Sequence, residues 1–292
     1  MFLRERIREL LAKYPYLPSV GPVSIWVILF VIAPLGVILY FSFLTTGDFG
    51  VILHIFTLEN YLAMARSTVV EVFLRTLLFS TAISMLCLLL GYPLAYFIVM
   101  YGGRWKILLV FLVVLPEWTS YLIRLYALRS IVRSGGLINS VLLSLGLISS
   151  PLPLLYNPFT VVVGLVYGYL PLMVLPLYAS LEGLDPSLLE ASGDLGATPF
   201  RRFFTVTLPL TKGGVLAGIL LTFIPAIGDW LVPLLMGGPG TLMVGNLVFL
   251  HFIDVGNIPA GSAIGMALTV IILLMLYFCI RAGGKEATER II

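Results

Sequence analysis

Residues 22 to 44 carry no charged side chain, and neither do residues 76 to 100, 159 to 181 or 260 to 280. Each run matches the roughly 20 residues that a helix needs to cross a hydrocarbon core about 30 Å thick, whereas a barrel strand would alternate over about 10. Apolar residues make up 60% of the chain and charged residues 11%, against about a quarter charged in soluble domains. The mean hydropathy is +1.09. These features exclude a soluble domain and predict an all-α polytopic membrane protein.

Hydropathy and turn residues divide the chain into six transmembrane helices, expected over about 22–44, 72–100, 107–128, 159–181, 209–235 and 260–280. Residues 1–21 precede them as an amphipathic segment, with Phe2, Leu3, Ile7, Leu10 and Leu11 at helical spacing and Arg4, Glu5 and Arg8 on other faces. The first run is too long for a signal-peptide core and lacks a small-residue cleavage site. Residues 45–70 read as a mixed polar connection. A short surface helix is expected around Leu137, Ile138, Val141, Leu142 and Leu145, between turn residues at Gly135, Gly136, Pro151 and Pro153. Residues 282–292 form a charged tail.

Orientation follows from Lys and Arg, which are enriched near the cytoplasmic ends of spans. With both termini inside, 12 of the 17 Lys and Arg fall on the cytoplasmic side. Arg124, Arg129 and Arg133, after the third span, run against the rule locally. The expected topology is N-in/C-in, with residues 182–208 cytoplasmic. The net charge of +3 implies no nucleic-acid partner, and Cys87 and Cys279 sit inside apolar runs without metal-ligand spacing. No metal and no catalytic residue is predicted.

The stretch EASGDLGATPFRRFFTVTLP, residues 190 to 209, interrupts the apolar pattern. Asp185 and Pro186 start a helix, Asp as cap and Pro where a missing N–H costs nothing. Gly196 ends it as a left-handed cap residue would, and Thr198 and Pro199 start a second helix by the same logic. Glu190 and Asp194 share a face at i, i+4 beside the apolar or small Leu188, Ala191, Ser192 and Leu195.

Glu190-Ala191-Ser192, Gly196 and Leu208-Pro209 resemble the EAA loop of permease subunits of binding-protein-dependent ABC importers. Ser192 stands for the usual second Ala and Val206 where Ile is common. LPEWTSYLIRLYALR (115–129), GLVYGYLPLMVLPLYASLEGLDPSLLEASGDLGA (164–197) and FFTVTLPLTKGGVLAGILLTFIPAIGDWLVPLLMGGP (203–239) resemble the spermidine/putrescine branch. The likeness covers about 70 to 290. It implies a type I ABC importer (MetI-like) transmembrane domain in a bacterial cytoplasmic (inner) membrane. Glu190, Ala191, Ser192, Asp194, Gly196, Ala197 and Pro199 would then form a coupling helix docked on a cytoplasmic ABC ATPase dimer. It further implies a second permease subunit of a different sequence, an extracytoplasmic substrate-binding protein and polyamine cargo. ATP and Mg would bind the ATPase and no cofactor this chain, which has no G-x-x-x-x-G-K-[ST] phosphate loop.

Ionisable residues inside spans are costly and mark function by default. Glu117, Tyr121 and Arg124 share a face after Pro116, with Trp118 adjacent; either they line a pathway, or Glu117 and Arg124 pair internally or lie at the outer interface. Asp229 follows Pro225 and Gly228, where the fifth span is expected to bend at Pro225, and Trp230 stands beside it. A carboxylate next to an aromatic ring suits an organic ammonium; a helix cap or interchain pair is the structural alternative. The resemblance adds that this position before LMGGP is often acidic in the polyamine branch. His54 and His251 are expected in outer loops, and Glu59 and Tyr61 as contacts for the binding protein. Other cargoes of the same class, an amino acid, an opine or ferric iron, stay open. A self-sufficient secondary carrier would call for inverted repeats, which the sequence does not display.

Overall fold

A computed structural model describes residues 17–47 and 50–283. Most of the expected N-terminal amphipathic helix, and the tail from residue 284 on, lie outside the described residues. Helix α1 (Leu17–Val27) passes through a π-helical turn, Ile28–Ile32, into α2 (Ala33–Ser42). Pro34 explains the widened turn, since its ring crowds the carbonyl four residues back and it offers no N–H. Strands β1 (Leu44–Thr46) and β2 (Ile52–Phe56) follow, then α3 (Glu59–Met64) and the 35-residue α4 (Ser67–Tyr101).

Next come α5 (Lys106–Val114), a 3-10 turn at Leu115–Trp118, α6 (Tyr121–Val132) and the surface helix α7 (Leu137–Ser144). Helix α8 (Pro158–Glu182) leads to α9 (Pro186–Asp194), α10 (Pro199–Arg202), a π-helical Phe203–Thr207 and α11 (Leu208–Leu210). The chain ends in α12 (Lys212–Gly228), α13 (Leu231–Met236), α14 (Val244–Phe249), a π-helical Leu250–Asp254 and α15 (Ile258–Gly283).

Val20–Ser42, Ser67–Tyr101, Pro158–Glu182 and Ile258–Cys279 are each long and apolar enough to cross a membrane. Two further segments reach span length only as bent pairs: Gly103–Trp118 with Tyr121–Ser144 at 93°, and Pro199–Leu210 with Lys212–Gly228 at 68°. Counting each pair once gives the expected six. The third span is therefore sharply broken. The fifth does not bend where the sequence suggested: its 68° bend falls at Thr211, α12 continues through Pro225 to Gly228, and the chain leaves the helix at Asp229 before α13.

Two compact units make up the chain, Met1–Met64 with Leu250–Ala267, and Ala65–Phe249 with Leu268–Ile292. In the first, β1 and β2 pair antiparallel with Leu44 opposite Phe56 and Thr46 opposite Ile52, a hairpin in what read as a polar connection. Asn60 closes its base by donating to the carbonyls of Ser42 (3.0 Å) and Leu44 (2.8 Å), and the Tyr61 hydroxyl bonds that of Ser42 at 2.7 Å. His54 lies on β2 and bonds Tyr40 at 3.0 Å. His251 belongs to the π-helical segment, where burial lowers its pKa below the ordinary imidazole value.

In the second unit α4, α8 and α12 pack against one another around Ile83, Cys87, Ala95, Leu165, Met173 and Leu177, all fully buried. Small residues permit the close approach, as membrane helices require: a Cβ on Gly218 would meet the Met173 carbonyl at 3.3 Å, and one on Gly214 the Pro176 carbonyl at 2.8 Å. Lys106 at the start of α5 ties to Glu182 at the end of α8, 3.1 Å apart.

Candidate functional site

Two breaks in helices meet at one polar cluster. Thr119 and Ser120 leave the helix at the bend of the third span, so that Tyr121 opens α6. Asp229 leaves it at the end of α12, with extended backbone at ψ 127. The Asp229 side chain caps the helix that follows: Oδ1 accepts from the backbone N–H of Leu231 (2.8 Å) and Val232 (3.0 Å). Its Oδ2 accepts from the hydroxyls of Tyr121 and Tyr169, both at 2.6 Å. With these bonds a residue only 7% exposed has donors for all four of its lone-pair positions. That satisfaction is what makes a buried carboxylate tolerable.

Asn246 fixes the break from the other side by donating to the Trp230 carbonyl at 2.7 Å. Gly168, next to Tyr169 on α8, makes room for Tyr121: a Cβ there would sit 3.1 Å from Tyr121 Cε2. Arg124, 9% exposed, grips Glu117 with both prongs, Nη1 to Oε1 at 2.8 Å and Nη2 to Oε2 at 3.1 Å. Its guanidinium also lies 5.6 Å from the centre of the Tyr121 ring. Glu117, Arg124, Tyr121, Asp229 and Tyr169 thus form one continuous chain of polar contacts.

Of the sequence-predicted pathway residues, Glu117, Tyr121 and Asp229 come together and the two tryptophans do not join them. Trp118 is 74% exposed and edge-on to Phe111, and Trp230 stacks on Phe249 at 4.2 Å. The aromatic groups on Asp229 are Tyr121 and Tyr169. Tyr169 and Asn246 escaped the sequence reading, since each is a lone polar residue whose partner is distant in sequence. Chemically the cluster offers fixed negative charge behind two phenol oxygens that can still accept hydrogen bonds, with the 29% exposed Glu117 side chain as its open edge.

A separate cleft of about 630 Å³ is lined by Tyr126, Arg129, Arg133, Pro153 and Tyr156 among others. Arg129 donates to the Tyr156 hydroxyl at 2.9 Å. Tyr156 adopts φ 62, uncommon for a residue with a side chain. Among the described residues no three of His, Cys, Asp and Glu lie together as metal ligands would.

The predicted coupling residues occupy a separate surface. Asp185 accepts from the Ser187 N–H at 2.9 Å and caps α9, and Ser187 holds its carboxyl below the ordinary carboxylate pKa. Gly196 has φ +77, and bonds from Ala197 N to the Ser192 carbonyl and from Gly196 N to the Gly193 carbonyl close a Schellman motif. Thr198 then caps the turn opened by Pro199. Glu190, Ala191 and Asp194 are exposed, Ser192 and Ala197 partly so, and Leu195 and Phe200 are 88% and 75% exposed. Beyond them Phe203 is anchored in the bundle, edge-on to Tyr92 of α4 at 5.2 Å.

No family model matches the chain. It is 40% identical over 258 residues to the spermidine/putrescine transport system permease protein PotB of Escherichia coli (strain K12), covering 88% of this chain and 94% of that protein. It is 33% identical over 287 residues to the inner membrane ABC transporter permease protein YdcU of the same strain, covering 93% and 90%. Among solved structures, it resembles in fold a chain of the bacterial alginate ABC transporter in complex with an alginate pentasaccharide-bound periplasmic protein. That match has a TM-score of 0.73 at 16% identity, covering 96% of this chain and 97% of that one. Spans, broken helices and sequence kinship together make this chain a multi-pass membrane protein belonging to the ABC transporter permease family that contains PotB.

Proposed function

We propose that this permease forms half of the translocation pathway of an ATP-driven importer for polyamines such as putrescine and spermidine. The observation that carries the reading is the 40% identity to PotB over nearly the full length of both chains. The acidic and phenolic cluster at Glu117, Tyr121, Asp229 and Tyr169 supports it, because carboxylates and aromatic groups suit an organic ammonium. The chain sits in the bacterial inner membrane with both termini and residues 182–208 in the cytoplasm, in keeping with its Lys and Arg placement. An extracytoplasmic binding protein delivers the cargo, and a second permease of different sequence supplies the other half.

The α9–α10 segment is the coupling element. Exposed Leu195 and Phe200 beside Glu190 and Asp194 suit a protein surface better than water, and the partner is the ATPase dimer that binds ATP and Mg. Nucleotide-driven closure of that dimer shifts the segment, and Phe203 passes the shift to α4. Reconstitution of the complete importer in proteoliposomes tests the proposal. ATP-dependent accumulation of labelled putrescine or spermidine is expected. Uptake without the ATPase, or of an amino acid or ferric iron in place of polyamine, would overturn it.

A further inference from the structure

Arg124 puts a cation where the polyamine reading requires one from outside. Its guanidinium takes both oxygens of Glu117, at 2.8 and 3.1 Å, and lies 5.6 Å from the Tyr121 ring centre. The Tyr121 hydroxyl in turn donates to Asp229. A carboxylate, an aromatic face and a second carboxylate behind a phenol are what would recognise a primary ammonium group. The protein already satisfies that site with a side chain of its own. We infer that Arg124 is a resident competitor, filling the Glu117–Tyr121 cation site in the substrate-free protein and giving way to an ammonium group of the cargo. This inference rests on the polyamine reading above.

Two features fit an arginine that is held but displaceable. Arg124 is 9% exposed, yet its Nε–H has no partner among the described residues, and a buried donor left unmet weakens the closed arrangement. The Glu117 side chain, by contrast, is 29% exposed, so an incoming group can reach the carboxylate before the arginine leaves. The pair also spans the 93° bend, with Glu117 before it and Arg124 after it. Exchange therefore unties the two halves of the third span as the cargo binds. Selectivity follows, because an ammonium group can replace the donated hydrogen bonds that hold Glu117, whereas potassium or sodium, without N–H groups, cannot.

Binding of labelled spermidine and putrescine to the purified importer in nanodiscs, without its binding protein, tests the role. Arg124→Gln is expected to bind about tenfold more tightly, since a site blocked about nine times in ten binds about ten times more weakly than an open one. Arg124→Lys, a single-pronged cation, is expected between the two, and Glu117→Gln with Arg124→Gln loses binding. Unchanged or weaker binding by Arg124→Gln, in complexes of wild-type size and melting temperature, overturns the inference. Should that variant fail to assemble, Arg124→Lys decides, and no gain in its affinity counts equally against the role. Wild-type uptake separates the two levels: without it the polyamine reading fails, whereas intact uptake with no gain in either variant removes only the role of Arg124.

Discussion

Asp229 concentrates the chemistry of the bundle in one side chain, because it caps α13 with one oxygen and receives two tyrosines with the other. Asp229→Asn replaces an acceptor by a donor facing those groups, and a loss of about 1–3 kcal/mol is expected for the unmet bonds. Differential scanning calorimetry of the purified complex should register it as a lower Tm, and proteoliposomes as impaired polyamine uptake. Gly168→Ala would crowd Tyr121 from 3.1 Å, at a cost of about 1 kcal/mol or more, and the same two measurements check it. Asp229 was legible from the sequence because Pro225 and Gly228 flag a discontinuity next to an ionisable residue. The location of the break was not: a proline inside a membrane helix can be absorbed by its neighbours, whereas a carboxylate able to cap two N–H groups creates a better stopping point. Tyr169 was illegible for another reason, since nothing near it in an uncharged run announces a partner 60 residues away.

At the level of elements, the α9–α10 segment was read almost residue for residue, because helix caps are local. Asp185 with Pro186, Gly196, and Thr198 with Pro199 each act within a few positions of themselves. The β1–β2 hairpin was missed, since its register depends on Asn60 and Tyr61 folding back on Ser42 and Leu44. Gly196→Val forces a branched side chain into a left-handed backbone at about 1–2 kcal/mol. Uptake should fall in that variant while the ATPase continues to hydrolyse ATP, and stimulated hydrolysis alongside transport is the readout. Retained uptake would argue against coupling through this helix. The Asp185 cap carries a pH signature as well. Its folded pKa is depressed, so its contribution is complete above the unfolded value of about 3.9 and disappears as pH falls through the lower folded value. Protection factors of the α9 amides should drop on that acid side in the wild type and not in Asp185→Asn, which caps without titrating.

For the whole molecule, the apolar runs alone set the class, since segments of about 20 uncharged residues leave little besides membrane spans, but they could not show which spans are continuous. The proposed orientation is open to a direct check. Leu195→Cys places a thiol at a position that is 88% exposed in the chain alone, and a membrane-impermeant maleimide should label it in inverted vesicles made without the ATPase and spare it in right-side-out ones. Labelling only in the latter would reverse the topology. The two broken helices carry one last consequence. Tyr121 begins the second half of one and Asp229 follows the last residue of α12 in the other, their side chains 2.6 Å apart. Neither joint can open away from the other without breaking that bond and stripping the Asp229 carboxylate of a donor in a buried place, so the two breaks share one latch.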